Sequence, residues 1–245
     1  MIDDMIVTTV SKGRSELIKN RTLKFFPDAT VVCHESEEKD YAKVARNVVC
    51  HDVKGICAIR QWVLDTFKEE MVVQLDDELK GITSLVGLKT RRIEDPEETL
   101  RILENTALVT KDTGCSLFGF NRHSKPLYFS GISPFLFSGM IVCAVLGFVG
   151  RSLNFDETLV LNSDVDINMQ ALLQDRVYVC DTRYHFDFGQ VNEQKGGLQG
   201  TRTEQLELQE QEKIVQKWGR YLSYKKLKAD PLFHVPRKNP LAVFR

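Results

Sequence analysis

The sequence predicts an α/β fold with a mainly parallel sheet flanked by helices, and two observations lead to this prediction. Short runs rich in β-branched residues alternate along the chain with segments whose apolar residues recur every three or four positions. Strands that alternate with helices form mainly parallel sheets, because each helix returns the chain to begin the next strand in the same direction. The composition agrees, since 42% of the 245 residues are hydrophobic and 27% are charged, as in ordinary globular proteins.

The first part of the chain contains three predicted strands and the segments that join them. Each strand is a short run rich in valine, isoleucine and threonine, which favour extended backbone. The strands are 5–10 (MIVTTV), 30–35 (TVVCHE) and 71–77 (MVVQLDD). Helical spacing is found in 15–26 (SELIKNRTLKFF) and 54–67 (KGICAIRQWVLDTF), and a short helix or turn is predicted for 40–49 (DYAKVARNVV).

The second part continues the alternation and ends in a long charged helix. Residues 94–114 have acids in the first turn, helical apolar spacing and a final glycine, which is typical of a capped surface helix. A helix over 166–175 (DINMQALLQD), a strand over 176–180 (RVYVC) and a glycine-rich loop over 189–200 follow. Residues 201–226 predict a helix with Leu206, Ile214, Trp218 and Leu222 on one side, where packing is favoured over stacking on nucleic-acid bases.

One apolar segment, residues 126–150, carries no charge and has the length of a membrane-spanning helix. Two prolines, three serines and four glycines interrupt it. Its compact apolar part, 135–148, has the length of a buried core element. We therefore expect a core segment and no membrane association.

The charge distribution and the cysteine spacing indicate which binding partners and which cellular compartment to expect. From Lys213 to Arg245 there are nine Lys or Arg against one acid, Asp230, whereas the whole chain has 33 basic and 34 acidic residues. Such a basic tail either binds a polyanion or is simply solvated. The six cysteines show no paired spacing, and the first residues carry acids where an export signal needs cations. These features predict a reduced, cytoplasmic protein.

Polar or charged loops directly follow the three predicted strands: 11–14 (SKGR), 34–36 (HES) and 76–78 (DDE). The carboxyl ends of parallel strands meet at one edge of a sheet, and ligands of such folds bind there. We therefore expect these three loops to lie together and to carry the chemistry.

The adjacent acids Asp76, Asp77 and Glu78 need a positive partner, because like charges this close repel and an unpartnered buried carboxylate is costly. Mg²⁺ or Mn²⁺ is one such partner, since these ions bind through one or two carboxylates plus substrate phosphates. The alternative is that the acids cap the N-terminus of a following helix.

The order of these segments resembles the first half of a GT-A glycosyltransferase. The resemblance is carried by 7–37, 54–67 and 72–78 (VVQLDDE). It implies a GT-A-like single domain over 1–200, followed by a C-terminal helix and basic tail over 201–245. It also implies a nucleotide-sugar donor, by family habit a UDP-sugar, bound through Ser11, Arg14, Glu35 and Arg60. For Arg60 the alternative is a solvated helix residue.

In that family a DxD motif binds the metal and the nucleotide-sugar. The matching residues are Asp76, Asp77 and Glu78, and the final Glu leaves open which two acids touch the metal. In the second half, the segment 153–175 is similar to the acceptor-side segment whose acid serves as base, which makes Asp164 and Asp166 the catalytic candidates. Asp164 is alternatively a plain helix N-cap.

Two further parts of the donor site are implied by the same resemblance. His185 in "YHFDF" is similar to the C-terminal metal-ligating histidine of many GT-A enzymes, and is alternatively a hydrogen-bonded core histidine. Lys195 and Gly196 in "NEQKGG" would bind the pyrophosphate through the side chain and backbone N–H groups.

A narrower resemblance is to the phage GT-A enzymes associated with TET-type pyrimidine hydroxylases. It is carried by the patterns "SKGR", "HESE…Y", "QLDD" and "QKGG…TRTE", and it covers most of residues 5–224. It implies transfer of a sugar to 5-hydroxymethylcytosine in DNA, for which the basic and aromatic tail suits a phosphate backbone. The alternatives are a glycan, lipid or small-molecule acceptor, or a non-catalytic nucleic-acid-binding protein with a degenerate GT-A core.

Overall fold

The computed structural model of the chain describes residues 4–87, 89–125, 129, 131–137, 139–142, 144–188, 203–224 and 231–235. Within these ranges, ten strands form one sheet in the order β3-β2-β1-β4-β9-β7-β10-β5-β6, with β8 paired to β10. The strands are β1 (Met5–Val10), β2 (Thr30–His34), β3 (Asn47–His51), β4 (Met71–Asp76), β5 (Gly81–Ser84), β6 (Arg91–Ile93), β7 (Leu117–Asn121), β8 (Phe135–Leu136), β9 (Val145–Val149) and β10 (Val179–Asp187). The pairings make β5, β8 and β9 run opposite to the other seven, so the sheet is mixed and mostly parallel.

Helices cover both faces of the sheet and confirm the predicted α/β class. Buried residues of α1 (Ser15–Lys19), α2 (Thr22–Phe25), α3 (Glu38–Tyr41) and α5 (Pro96–Asp112) belong to one apolar cluster. Buried residues of α4 (Ile56–Thr66), α6 (Ser163–Gln174) and α7 (Glu204–Trp218) belong to a second cluster. The sheet therefore lies between two helical layers, and each face is stabilised by its own core.

The strand β3 corrects the sequence prediction for residues 40–49. Only the beginning of that segment is helical, in α3, and the chain then forms β3 parallel to β2, with Cys50 opposite Cys33. A short apolar run fits a helix or a strand equally well by spacing alone, and the exposed edge of β2 decides in favour of the strand. The predicted helix over 15–26 is likewise divided, into α1 and α2.

The apolar segment 126–150 contributes a central strand rather than a spanning helix. Its β9 lies antiparallel between β4 and β7, and Val145, Leu146 and Phe148 are buried. None of the helices described is long and apolar enough to cross a membrane. The expectation of a core element is thereby confirmed for β9, but not for the start of the predicted stretch 135–148, where Leu136 and Phe137 are exposed.

The C-terminal helix α7 packs on the layer formed by α4 and α6. Its Ile214 is fully buried, and a short antiparallel pair, β11 (Leu222–Tyr224) with β12 (Pro231–Phe233), follows it. A division of the chain at residue 200 stays a prediction. The basic residues beyond β11, among them Lys225, Lys226, Lys228, Arg237 and Lys238, lie outside the described residues.

Candidate active site

The carboxyl ends of β1 and β4 are adjacent, since these strands pair in parallel with Val10 opposite Asp76. This register brings the loop that begins at Ser11 against Asp77. The Ser11 hydroxyl donates to Asp77 Oδ2 at 2.6 Å and forms a second hydrogen bond with the Tyr41 hydroxyl at 2.7 Å. Both Ser11 and Tyr41 are buried, so the loop after β1 is fixed directly to the acidic triplet.

Arg14 supplies the first positive charge beside the triplet. Its Nη1 lies 2.9 Å from Asp77 Oδ1 and 3.4 Å from Glu78 Oε2. Its backbone N–H donates to the Tyr41 hydroxyl, and its side chain is only 12% exposed. Both carboxylate oxygens of Asp77 are therefore occupied within the protein, one by Ser11 and one by Arg14.

Arg60 supplies the second positive charge. This residue lies on α4, donates from Nη2 to Asp76 Oδ1 at 2.7 Å, and its side chain is 6% exposed. Its position is fixed by the Gln74 amide, which donates to the Arg60 carbonyl at 2.9 Å, and by the nearby ring of Phe155. Arg60 is therefore a buried partner of the triplet and not a solvated helix residue.

The triplet carries more negative charge than these two arginines neutralise at short range. Burial raises the pKa of Asp76, Arg60 opposes this shift, and Asp77 adds to it. Burial also raises the pKa of Glu78, against Arg14 and together with the charges of Asp77 and Asp76. The side chain of Asp76 nevertheless stays 39% exposed, so its carboxylate is accessible to a ligand at this edge of the sheet.

Asp164 lies at the start of α6. The N-cap of this helix is Asn162, so Asp164 is in the first turn, where its Oδ1 accepts from the N–H of Val165 at 2.8 Å. Burial raises the pKa of Asp164 to about 6, and the charges of Arg60 and Arg122 oppose the shift. Arg60 therefore acts electrostatically on both Asp76 and Asp164. Asp76 is the candidate on the side of the sugar donor, and Asp164 is the candidate base for the acceptor hydroxyl.

The second catalytic candidate, Asp166, has a different environment. It is fully buried and accepts hydrogen bonds from Trp218 Nε1 and Gln170 Nε2, both at 2.9 Å. Lys217 Nζ lies 2.8 Å from the same carboxylate. These partners join α6 to α7 and leave Asp166 without an exposed surface, an arrangement suited to holding the two helices together.

The remaining predicted site residues are less closely joined to the triplet. His185 is half-buried on β10, opposite Thr83, and its Nδ1 hydrogen-bonds to the Asn121 carbonyl at 2.8 Å. Glu35 is exposed at the start of a single 3₁₀ turn after β2. Lys195 and Gly196 lie outside the described residues. Among the residues that are described, no group of three or more His, Cys, Asp or Glu is arranged to hold a metal ion by itself.

Two residues near the site are not identified by the sequence pattern. Tyr41 belongs to the motif "HESE…Y", but nothing in its spacing indicates that its hydroxyl joins Ser11 to Arg14. Glu210 on α7 is 1% exposed and binds the backbone ahead of α6. A signal existed for Glu210, because it falls at four-residue spacing between Leu206 and Ile214 on the side of the helix predicted to pack.

Several solved structures share the architecture of this chain. Glucosyl-3-phosphoglycerate synthase from Mycobacterium tuberculosis with uridine-diphosphate matches with a TM-score of 0.54 and 11% identity, covering 98% of this chain and 91% of that one. Its complex with Mn²⁺, uridine-diphosphate and phosphoglyceric acid gives 0.51 and 10%, with the same coverage. These likenesses establish the GT-A fold.

A partial match is S. aureus TarS 1-349 with UDP-GlcNAc, with a TM-score of 0.49, 12% identity and 87% of this chain covered. This chain spans 66% of that one, just under two thirds of its length. No curated protein matches the sequence.

The sequence itself matches a family model described as TET-Associated Glycosyltransferase, over residues 5–197. The matched range contains β1 to β10 and therefore the whole edge on which Ser11, Arg14, Arg60 and the acidic triplet meet. The chain belongs to the TET-associated glycosyltransferase family.

Proposed function

We propose that this protein transfers a sugar from a nucleotide-sugar, a UDP-sugar by family habit, to the hydroxymethyl group of 5-hydroxymethylcytosine in DNA. The observation that carries the proposal is the position of Arg60. Arg60 donates to Asp76 of the triplet, and its charge also acts on Asp164, whose pKa burial raises to about 6. A diphosphate and an acceptor hydroxyl would thus meet beside one arginine.

The donor's diphosphate would be bound by Arg14 and Arg60, which are paired with the acids of the triplet in this structure. Arg14 and Arg60 are the arginines in the described residues that contact the acidic triplet, and guanidinium groups bind phosphate through charge-assisted hydrogen bonds. Ser11 and Glu35 follow β1 and β2, where a nucleoside of the donor would lie. Lys195 and Gly196 would complete the pyrophosphate contacts.

The acids of the triplet fit a divalent cation only together with the donor. Asp77 has both oxygens occupied by Ser11 and Arg14, whereas Asp76 Oδ2 and Glu78 Oε1 accept no hydrogen bond from the described part of the chain. Two carboxylates completed by substrate phosphates are a usual set for Mg²⁺ or Mn²⁺. We propose Asp76 and Glu78 as the ligands, with His185 as the third protein candidate.

A bound cation would neutralise charge that develops on the departing nucleoside diphosphate. The chain's own residues would carry out the remaining steps. Asp164 would accept the proton of the acceptor hydroxyl while that oxygen forms a bond to the anomeric carbon and the bond from carbon to the diphosphate breaks. Its raised pKa suits this role, because a general base works best with a pKa near the working pH. Arg60 and Arg14 would stabilise the negative charge of the leaving group.

The DNA acceptor is supported by family membership and by charge. A family associated with TET-type pyrimidine hydroxylases fits a substrate that carries a fresh hydroxymethyl group. The net basic character of residues 213–245 suits the phosphate backbone of DNA. The base would be reached in the major groove or after flipping out of the duplex.

The decisive test incubates the protein with Mn²⁺, a panel of UDP-sugars, and matched DNA that contains cytosine or 5-hydroxymethylcytosine. Nucleosides from the digested DNA are then analysed by mass spectrometry. We expect a hexose-sized or pentose-sized mass increase only on the hydroxymethylated base, and its loss in Asp76→Ala. Release of UDP without any increase on DNA would refute the DNA acceptor, and absence of both transfer and UDP release would refute the donor.

A further inference from the structure

The segment that presents Asp164 is held from both sides by helix α7. Asp164 lies between Asn162, the N-cap of α6, and Asp166, which is one helical turn after Asn162. Both of these neighbours are bound by side chains of α7, a helix that begins after the end of the family match at residue 197. The C-terminal helix therefore has a direct structural connection to the candidate base.

Glu210 makes the first connection. Its Oε1 accepts from the N–H of Val160 at 2.6 Å, and its Oε2 accepts from the N–H groups of Leu161 and Asn162 at 2.8 and 3.0 Å. A carboxylate that binds three consecutive backbone N–H groups just before a helix fixes the direction in which that helix begins. The residue is 1% exposed, so solvent does not replace these bonds.

Lys217 and Trp218 make the second connection, at the acid that follows Asp164 on the helix. Lys217 Nζ lies 2.8 Å from Asp166 Oδ1 and 2.7 Å from Asp156 Oδ2. The indole N–H of Trp218 donates to the same oxygen of Asp166. Ile214, fully buried between Glu210 and Trp218 on the same side of α7, anchors the helix against this layer.

We propose that Glu210 is a positioning residue that fixes the Asp164 carboxyl group in its place for proton transfer. The inference rests on the proposed function, in which Asp164 is the base. Glu210 does not contact the acceptor or the donor in this mechanism. It acts by holding residues 160–162, from which the first turn of α6 and Asp164 extend.

The charged and titratable groups around Asp164 come from several elements. Arg60 on α4 and Arg122 after β7 are the positive charges that act on it. Burial raises the pKa of Tyr224 on β11, and the charges of Asp164 and Glu210 raise it further. The Tyr224 hydroxyl is buried with no hydrogen-bond partner in the described residues. A displacement of 160–162 would change the exposure of Asp164 to all of these groups.

The test compares three substitutions of Glu210. Glu210→Gln keeps the length but loses one acceptor oxygen, Glu210→Asp keeps the charge but withdraws the carboxylate by one methylene, and Glu210→Ala removes it. The matched control is Glu212→Gln, an exposed glutamate on the same helix. Thermal unfolding identifies the variants that stay folded at the assay temperature, and only those are interpreted.

Three readouts are taken on each folded variant. Hydrogen exchange reports the amides of Val160, Leu161 and Asn162, and carbon NMR of labelled aspartates reports the titration of Asp164, assigned with Asp164→Asn. Transfer kinetics separate kcat from KM. We expect faster exchange at these amides, a lower Asp164 midpoint, and a kcat reduced roughly 10- to 100-fold with the donor KM unchanged.

The outcomes separate positioning from its alternatives. If Glu210→Asp keeps the wild-type titration and kcat, the charge alone matters and the positioning role is wrong. If exchange increases while the Asp164 midpoint and kcat stay at wild-type values, Glu210 is only structural and the proposal is equally refuted. The exchange and titration need neither donor nor acceptor, so a protein that fails to transfer sugar would refute the proposed function and still decide the role of Glu210.

Discussion

Ion pairs with Arg14 and Arg60 explain how Asp76, Asp77 and Glu78 can be adjacent at the carboxyl end of β4. Asp76 and Asp77 each have an arginine within hydrogen-bond distance, and Ser11 adds a neutral donor to Asp77. These bonds divide the triplet, because Asp77 is saturated within the protein whereas Asp76 and Glu78 each keep one oxygen that accepts no hydrogen bond from the described residues. The sequence alone shows three similar acids, and the contacts make them unequal.

This inequality predicts different effects of neutralising each acid. Asp76→Asn and Glu78→Gln should lower Mn²⁺ affinity in the presence of UDP by more than the roughly 10- to 100-fold typical of losing a residue that only orients a ligand. Asp77→Asn should lower thermal stability and leave Mn²⁺ affinity much nearer to wild type, because this residue serves Ser11 and Arg14. Electron paramagnetic resonance of bound Mn²⁺ measures the affinities, with the exposed Asp65→Asn as the control. Loss of Mn²⁺ binding in Asp77→Asn alone would contradict the assignment.

The raised pKa of Asp164 predicts an acidic limit to activity. A base must be ionised, so kcat should fall as the pH decreases through about 6, the pKa to which burial raises this carboxyl. Asp164→Asn should lower kcat on the order of 10² to 10⁴ and remove this limb from the pH profile. Asp112→Asn, at an exposed position on α5, is the matched control. A wild-type profile that is flat across this range would exclude Asp164 as the base.

The raised pKa of Asp164 also affects the free energy of unfolding. A salt-bridged acid, whose pKa is lowered, stabilises the fold as the pH rises, whereas Asp164 should destabilise it. The folded protein holds the Asp164 proton more tightly than the unfolded chain, because burial raises the pKa from 3.8 to about 6. Ionisation between these values therefore costs stability as the pH rises. Asp164→Asn, which cannot ionise, should gain stability relative to wild type over this window, and chemical unfolding at several pH values measures the difference.

At the scale of elements, the insertion of β9 between β4 and β7 is permitted by a glycine. Gly147 pairs with Val73 on one side and Phe118 on the other, and a methyl group at its Cα would overlap the ring of Phe118. The close approach lets the Phe118 side chain cover this point of the sheet, where it is fully buried. The acidic triplet depends on this strand, since the N–H of Asp76 donates to the carbonyl of Ala144 directly before β9.

Gly147→Ala should therefore destabilise the protein by about 1–3 kcal/mol, the usual cost of overpacking a core position. Urea unfolding measures the change. Gly131→Ala is the control, because a methyl group there meets no atom of the described chain. Equal stability of the two variants would show that the Phe118 ring moves aside at little cost.

At the scale of the whole molecule, the proposed function assigns donor binding to the acidic edge and DNA binding to the basic C-terminal region. The edge carries Asp76, Asp77 and Glu78 and would repel DNA phosphate, whereas residues 213–245 carry nine basic residues against one acid. The helix α7 contributes Glu210, which binds the segment before Asp164. The C-terminal region thus both completes the structure near the candidate base and supplies the positive charge suited to a DNA acceptor.

This division predicts that substitutions in the basic tail weaken DNA binding and leave donor binding unchanged. A variant with Arg237→Gln and Lys238→Gln should bind DNA more weakly, and its affinity should depend less steeply on salt. The log–log slope should decrease by about 0.9 for each DNA phosphate that these side chains neutralise in the wild type. UDP affinity should stay unchanged. Lys39→Gln with Lys43→Gln, two exposed lysines of the first half, is the control pair. An unchanged salt slope would exclude these two tail residues from DNA binding.

The sequence by itself determined the parts of this protein that depend on local pattern. Alternating β-branched and helical segments predicted the α/β class, and acids placed directly after a strand predicted the edge on which the candidate site lies. The strands β1, β2 and β4 and the helices α4, α5 and α6 were expected close to where they are found. These features follow from residues near each other in the chain, so periodicity and propensity are sufficient to indicate them.

Only the tertiary structure decided which side chains meet across long separations. The pairing of Arg14 with Asp77, of Arg60 with Asp76, and of Glu210 with the backbone of 160–162 joins residues that no sequence pattern links. The strand β3 and the antiparallel position of β9 likewise depend on which edge of the sheet is available. The physical reason is that a charge or a strand edge is satisfied by whatever partner packing brings to it, and packing is a property of the folded chain as a whole.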